Sequence, residues 1–308
     1  MSKIFATPVA KRLIKEHNLN IDEIPFSKSR IEKEDVEKYI ESLKSAPTPS
    51  APASTPSVAS APTPTPAPVA KPVATLDGRR EKIAPIRKAI ARAMRTSWES
   101  VAYVNLVNEI DMSALWNLRK SILDDVLKSS GVKLTFLPFI AKAILIALQE
   151  FPIIAAKYDE ASQEIVYPAT INLGFAVDTE AGLMVPVIKD AQSLSMIEIA
   201  KEISRLAIAA RDRKIKPTEM QGGSFTITNY GSVGALYGVP VINYPEMGIA
   251  GVGAIIDKAI VKNGQIVPGK IMHLTVAADH RWIDGATIGR FAARVKELLE
   301  KPEVLGIL

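Results

Sequence analysis

From Ala46 to Thr75 the chain is built almost wholly of Ala, Pro, Ser, Thr and Val, with prolines at positions 47, 49, 52, 56, 62, 64, 66, 68 and 72. Such a stretch cannot bury a core, because it offers few large apolar side chains and each proline removes a backbone donor. It reads as an extended, partly polyproline-like and mobile linker, whose 30 residues reach about 90 Å at ~3.1 Å per residue when drawn out and less on thermal average. Whatever folds must therefore fold on either side of it. The chain divides into a small unit (residues 1–44), a flexible linker (45–77) and a large unit (78–308). A small folded unit tethered to a large one favours a swinging arm.

In the small unit Pro8 opens a helical run, Val9 to Lys15, with apolar positions 9, 10, 13 and 14 on one side. A second helix is signalled by Glu32 to Ile40, where Val36, Tyr39 and Ile40 form the stripe. Two short helices make a very small, all-α core. Between Lys3 and Arg30 six basic residues (Lys3, Lys11, Arg12, Lys15, Lys28, Arg30) face three acidic ones (Glu16, Asp22, Glu23), a balance that attracts an acidic protein surface.

The large unit starts with a helix at Pro85, apolar at 86, 90 and 93–94, followed by a strand at Tyr103–Ile110 and helical periodicity over Met112–Lys128. Phe136 to Phe151 is apolar on more than one face and reads as a buried helix. Strand-like runs follow at 165–167, 171–177 and 183–188, then a helix over Ser195–Arg213, strands at 224–228, 247–254 and 272–278, and a last helix over Ala286–Leu299. Intermixed helices and strands predict an α/β fold, a mixed sheet covered by helices.

Composition excludes several classes. No apolar run approaches the roughly 18 residues that span a bilayer, and the start, MSKIFATPVAKRL, lacks an apolar targeting core, so a cytoplasmic protein with no membrane partner is expected. The absence of cysteine removes disulfides, thiolate metal sites and a cysteine nucleophile. The net charge of +5 comes from 38 basic against 33 acidic residues without a long basic block, which points away from nucleic acid. With three histidines in the whole chain, no metal site is advertised. His17 reads as a surface residue at a helix end, and His273, before the apolar run 274–278, as a strand-edge residue.

The third histidine is different. Asp279-His280-Arg281-Trp282-Ile283-Asp284-Gly285-Ala286 sets it beside two carboxylates and an arginine, between an apolar run and an amphipathic one, where an imidazole can be a poised base. The glycine-rich segments Gly222–Gly234 and Gly248–Gly253 lack the complete strand, GxGxxG turn, helix and acidic residue of a dinucleotide site, so their glycines read as turns and close strand approaches.

Both units resemble one family. The arrangement ATPVAKRLIKEHNLNIDEI…SRIEKEDVEKYI is similar to the peripheral subunit-binding domain of dihydrolipoamide acyltransferases, the core enzymes of 2-oxo acid dehydrogenase complexes, although Pro25–Arg30 is shorter than the family's GTGxxGR-like turn and has no glycine. The segment 279–286 resembles their DHRxxDGA pattern and Gly223–Gly231 their GxFTIxNxG segment. Asn172–Thr179, Gly182–Ile188 and Val241–Glu246 agree as well.

The resemblance implies a chloramphenicol acetyltransferase-like catalytic domain, trimers assembling into a 24-mer or 60-mer cage, and an active site where two subunits meet. It implies transfer of an acyl group, acetyl or branched-chain, from S-acyl-dihydrolipoamide to coenzyme A. His280 would be the base, Thr228 the oxyanion donor and Asp284 an orienting group in a buried pairing role. Arg281 and Arg87 would supply positive charge for the coenzyme A phosphates. Lys11, Arg12 and Arg30 would dock dihydrolipoamide dehydrogenase or the 2-oxo acid decarboxylase subunit through residues 1–44.

Nothing like the family's lipoyl hairpin is found, so the lipoyl group is expected in trans or from a missing domain. The apolar tail, Val304 to Leu308, is a candidate knob for a neighbouring trimer. Two alternatives stay open: a non-catalytic scaffold of such a complex, or an O-acetyltransferase acting on a small molecule.

Overall fold

The computed structural model describes residues 6–17, 19–21, 24–25, 30–44, 78 and 80–307. Contacts divide the chain into Met1–Asp77 and Gly78–Leu308. The linker reading and most of the glycine-free turn, all but Pro25 and Arg30, fall outside the described residues.

The first unit holds α1 (Pro8–Glu16) and α2 (Lys33–Lys44). Thr7 caps α1, its hydroxyl accepting the Ala10 N–H, and Pro8 occupies the first turn, where its missing donor costs nothing. Glu34 and Asp35 lie in the first turn of α2, where they oppose the helix dipole. Ala10, Ile24, Ile31 and Val36 form the core, with Leu13, Ile14, Tyr39 and Ile40 packed against it. Val9, counted with the apolar side in the sequence, is 53% exposed. A helix turns about 100° per residue, and Ala10, Leu13 and Ile14 already fill the buried stripe.

The second unit runs α3 (Pro85–Ser100), β1 (Tyr103–Asp111), α4 (Ser113–Ser130), α5 (Leu137–Glu150), β2 (Lys157–Asp159), β3 (Glu164–Val166), β4 (Leu173–Phe175), β5 (Val187–Ile188), α6 (Met196–Arg211), β6 (Phe225–Asn229), β7 (Gly248–Val252), β8 (Ile256–Lys262), β9 (Gln265–Asp279) and α7 (Gly285–Glu300). The sheet order is β1-β9-β7-β6-β4-β5, with β8 hairpinned onto the first half of β9. β4, β6 and β7 are parallel neighbours and the remaining pairs are antiparallel. This is the mixed sheet that the sequence pattern predicts. β2 and β3 form a separate hairpin.

The core lies on one face of the sheet, where α5 packs against α6 and α7. Ten of the fourteen α5 residues are buried, which explains an apolar pattern without a polar face. Leu305 is buried in this same core, and Val304 packs on it. Val304 and Leu305 of the tail read as an intersubunit knob thus pack on their own chain, whereas Ile307 is 84% exposed.

α3 buries only Ser97, although Ile86 and Met94 give it an apolar stripe. Its end is pinned: the Ser97 hydroxyl donates to the Ile242 carbonyl at 2.6 Å, the Tyr103 hydroxyl accepts the Ile242 N–H at 3.0 Å, and Trp98 stacks on Tyr103. The strand read at 183–188 shrinks to two residues, and that at 272–278 is the second half of a fifteen-residue β9. His273 therefore sits within a central strand, opposite Glu109 of β1, not at a strand edge.

Candidate active site

β9 ends at Asp279, which is 2% exposed. Its carboxylate accepts the Ala102 N–H at 3.3 Å, the Arg281 N–H at 3.1 Å, and the Arg281 guanidinium through Nε at 3.0 Å and Nη2 at 2.7 Å. Its carbonyl accepts the N–H groups of Trp282 and Ile283 at 3.1 and 3.0 Å. One residue thus folds the chain out of the sheet and into α7. The guanidinium lies 5.5 and 5.6 Å from the ring centroids of Tyr158 and Trp282, which stack on each other 4.4 Å apart. His280 is exposed at the head of this turn, its N–H donating to the Ala102 carbonyl at 2.8 Å.

Two expectations change here. The buried, paired carboxylate of the segment is Asp279, not Asp284: Asp284 follows the turn, is exposed at the N-cap position of α7, and makes no side-chain capping bond. Arg281, expected to meet phosphates, is committed to Asp279, and that contact raises its pKa further. A carboxylate left buried without this partner would be costly, so the pair stays closed.

Thr228 is the penultimate residue of β6 and partly exposed. It pairs with Gly251 of β7, and Gly251 pairs with Thr275 of β9, so the three stand in one row on one face. Tyr230 covers Gly251, where a side-chain carbon would lie 2.6 Å from its ring, and its hydroxyl bonds that of Thr275 at 2.9 Å. His280 lies five residues beyond Thr275. The two groups are therefore about 16 Å apart along the sheet and about 10 Å, two strand spacings, across it. One chain does not bring Thr228 and His280 together.

Two residues before Thr228, the buried Thr226 donates its hydroxyl to Glu246 Oε2 at 2.6 Å, while Asn243 Nδ2 donates to Oε1 at 2.9 Å. Burial pushes the Glu246 carboxyl up to about 7, against the opposing influence of these two donors and of Lys157. Sequence reasoning gave Asp279, Glu246 and Tyr230 no role of their own. All three stand in the family-like runs, but no signal there distinguishes them from their neighbours.

Beyond the end of β4, the Ala176 N–H donates to the Ile227 carbonyl at 2.9 Å, and Val177 bridges Met184. This loop borders a cavity of about 800 Å³ lined by Lys82, Arg87, Glu180, Met184 and Arg213 among others. Arg213 pairs with Glu180 at 3.3 Å, and among the described residues Lys82 and Arg87 have no carboxylate partner. Arg87 is thus placed on the Thr228 side of the sheet, away from Arg281. Lys11, Arg12 and Arg30 are all exposed, and Ile31 beside Arg30 bridges Ala6 where α1 begins.

Residues 75–307 match the family described as 2-oxoacid dehydrogenases acyltransferase (catalytic domain). The chain belongs to this acyltransferase family. Over 308 aligned residues the acyltransferase is 41% identical to the dihydrolipoyllysine-residue acetyltransferase component of pyruvate dehydrogenase complex from Staphylococcus aureus (strain COL), covering 97% of this chain and 70% of that protein. It is 30% identical, with a TM-score of 0.70, to the Azotobacter vinelandii dihydrolipoamide acetyltransferase, a structure solved to define the roles of a serine, a histidine and an asparagine in catalysis; 76% of this chain and 99% of that one are covered. A chain of the cubic core of the pyruvate dehydrogenase multienzyme complex is 31% identical with a TM-score of 0.70, over 76% of this chain and 99% of that one.

Proposed function

We propose that this acyltransferase moves an acetyl group from S-acetyl-dihydrolipoamide to coenzyme A at sites shared between two copies. One observation carries the reading. The serine, histidine and asparagine of the Azotobacter enzyme lie 52 and then four positions apart. Thr228, His280 and Asp284 have the same spacings in this chain.

The chemistry fits these residue types. A thiol with pKa near 8.5 must lose its proton as it attacks a thioester carbonyl. His280 takes the proton from the coenzyme A sulfur as the new C–S bond forms, and the carbonyl electrons move to oxygen. The Thr228 hydroxyl donates to that oxyanion. As the carbonyl re-forms, the bond to the dihydrolipoamide sulfur breaks and the departing sulfur takes the proton back from the imidazolium. Because Thr228 and His280 of one chain are too far apart, the histidine is supplied by the neighbouring copy. Asp284, which makes no side-chain capping bond in its own chain, bonds across that boundary as an orienting group.

Lys82 and Arg87 at the 800 Å³ cavity are suited to coenzyme A phosphates. The uncovered apolar stripe of α3 seats on another copy, giving trimers and then a cage. Lys11, Arg12 and Arg30 dock a dihydrolipoamide dehydrogenase or a 2-oxo acid decarboxylase subunit, and a lipoyl domain delivers the acetyl group.

The test is acetyl transfer from acetyl-dihydrolipoamide to coenzyme A by wild type and His280→Ala. Loss of a base is expected to lower kcat by about 10²–10⁴-fold. Full turnover in the variant, or none in a folded wild-type assembly, would overturn the reading.

A further inference from the structure

We propose that Glu246 is a positioning residue for acyl transfer, acting through Thr226 on Thr228; the proposal rests on the oxyanion role given to Thr228 above.

The geometry is that of a built node. Thr226 and Thr228 are two residues apart on β6, so their side chains share one face of the sheet. The Thr226 hydroxyl is held by Glu246 Oε2, and the other carboxyl oxygen is held by Asn243, so the carboxyl joins β6 to the segment leading into β7. Glu246 closes that segment itself, its N–H donating to the Asn243 carbonyl at 3.0 Å, and its backbone bridges Lys157.

Two glycines leave the space this node occupies. A side-chain carbon at Gly223 would lie 2.5 Å from Glu246 Oε1, and one at Gly174 on β4 would lie 2.8 Å from the Thr226 hydroxyl. Neither glycine has a positive φ, so their service here is room, not backbone freedom.

A carboxyl that is 3% exposed is expensive to bury, and nothing in acyl transfer between thiols requires one at this depth. Its two hydrogen bonds have a geometric consequence instead. An oxyanion donor acts only when it stands about 2.7–3.1 Å from the oxygen of the tetrahedral intermediate. Thr228 is partly exposed and, past the end of the β4 ladder at Ile227, is paired on its β7 side alone. Glu246 anchors the same strand from its side-chain face, one pleat away.

The test compares Glu246→Gln, Thr226→Val and Thr226→Ser with wild type in the assembled full chain, using acetyl-dihydrolipoamide and coenzyme A. Glu246→Gln and Thr226→Val are each expected to lower kcat about tenfold or more while both KM values stay within about twofold, because the lost contact acts on the transition state alone. Thr226→Ser, which keeps the hydroxyl, should recover most of the rate. In a Thr228→Ala background Glu246→Gln should add less than about a twofold loss, since its effect passes through the missing hydroxyl. An unchanged kcat in Glu246→Gln, an equal loss in Thr226→Ser and Thr226→Val, or a full additional loss in the Thr228→Ala background would each overturn the proposal. Full activity of Thr228→Ala would instead overturn the role of Thr228 on which it rests.

Discussion

An imidazole proposed to take a proton from sulfur must be aimed, and Asp279 and Arg281 stand on either side of His280 in sequence. Asp279 and Arg281 close a bidentate pair whose guanidinium is also packed on Tyr158 and Trp282. Asp279→Asn keeps the shape but removes the charge, leaving the guanidinium against a neutral amide. It is expected to lower kcat about tenfold or more with KM little changed, read from steady-state kinetics on both substrates. Thr228→Ala removes one oxyanion donor and should cost about 10²–10³ in kcat, close to 3 kcal/mol, whereas Thr228→Ser should retain most of the rate. His280 and Thr228 stand out in the sequence because each sits in a patterned run. The carboxylates at 279 and 284 were not separable there, because which one faces the interior depends on where β9 stops.

At the scale of elements, β6 carries the buried carboxyl of Glu246 on its Thr226 side, and this gives the fold a pH dependence. Its folded pKa of about 7 stands above the ordinary 4.5, so the folded state holds the proton more tightly than the unfolded chain. The resulting stabilisation is complete below about pH 4.5 and is lost as pH rises toward 7, on the order of 3 kcal/mol in all. Glu246→Gln carries no such titration. Urea unfolding of both proteins at pH 5 and pH 8 should show wild type losing stability relative to the variant on going to pH 8; a constant difference would contradict this. The helices were legible from their periodicity, α5 most clearly because it is apolar all round. β8 was missed. Its residues Ile256-Asp257-Lys258-Ala259-Ile260-Val261-Lys262 are mostly solvated and show no clean alternation. The signal that was available is the Asn263-Gly264 pair, both at positive φ between Lys262 and Gln265, which is the two-residue turn of a tight hairpin.

At the scale of the whole molecule, the sequence divided at its proline-rich stretch and the sheet came out mixed, but no pattern in the sequence could reveal that Thr228 and His280 stand apart within one chain. That follows from register, which places Thr228 level with Thr275 and His280 five residues further on. The apolar stripe of α3 is periodic enough to read as a helix face, yet its own chain leaves it open, as the proposed seat on another copy requires. Met94→Asp on that stripe is expected to reduce particle mass and acetyl transfer together, measured by light scattering and the coenzyme A assay. The shared site has a more direct test. His280→Ala and Thr228→Ala chains, each nearly inactive alone, are unfolded, mixed in equal amounts and reassembled. If each site takes its histidine from one copy and its threonine from another, random mixing restores both groups at about one site in four, and activity rises toward a quarter of wild type. If the two groups acted within one chain, every site would keep one defect and the mixture would be as inactive as its parts.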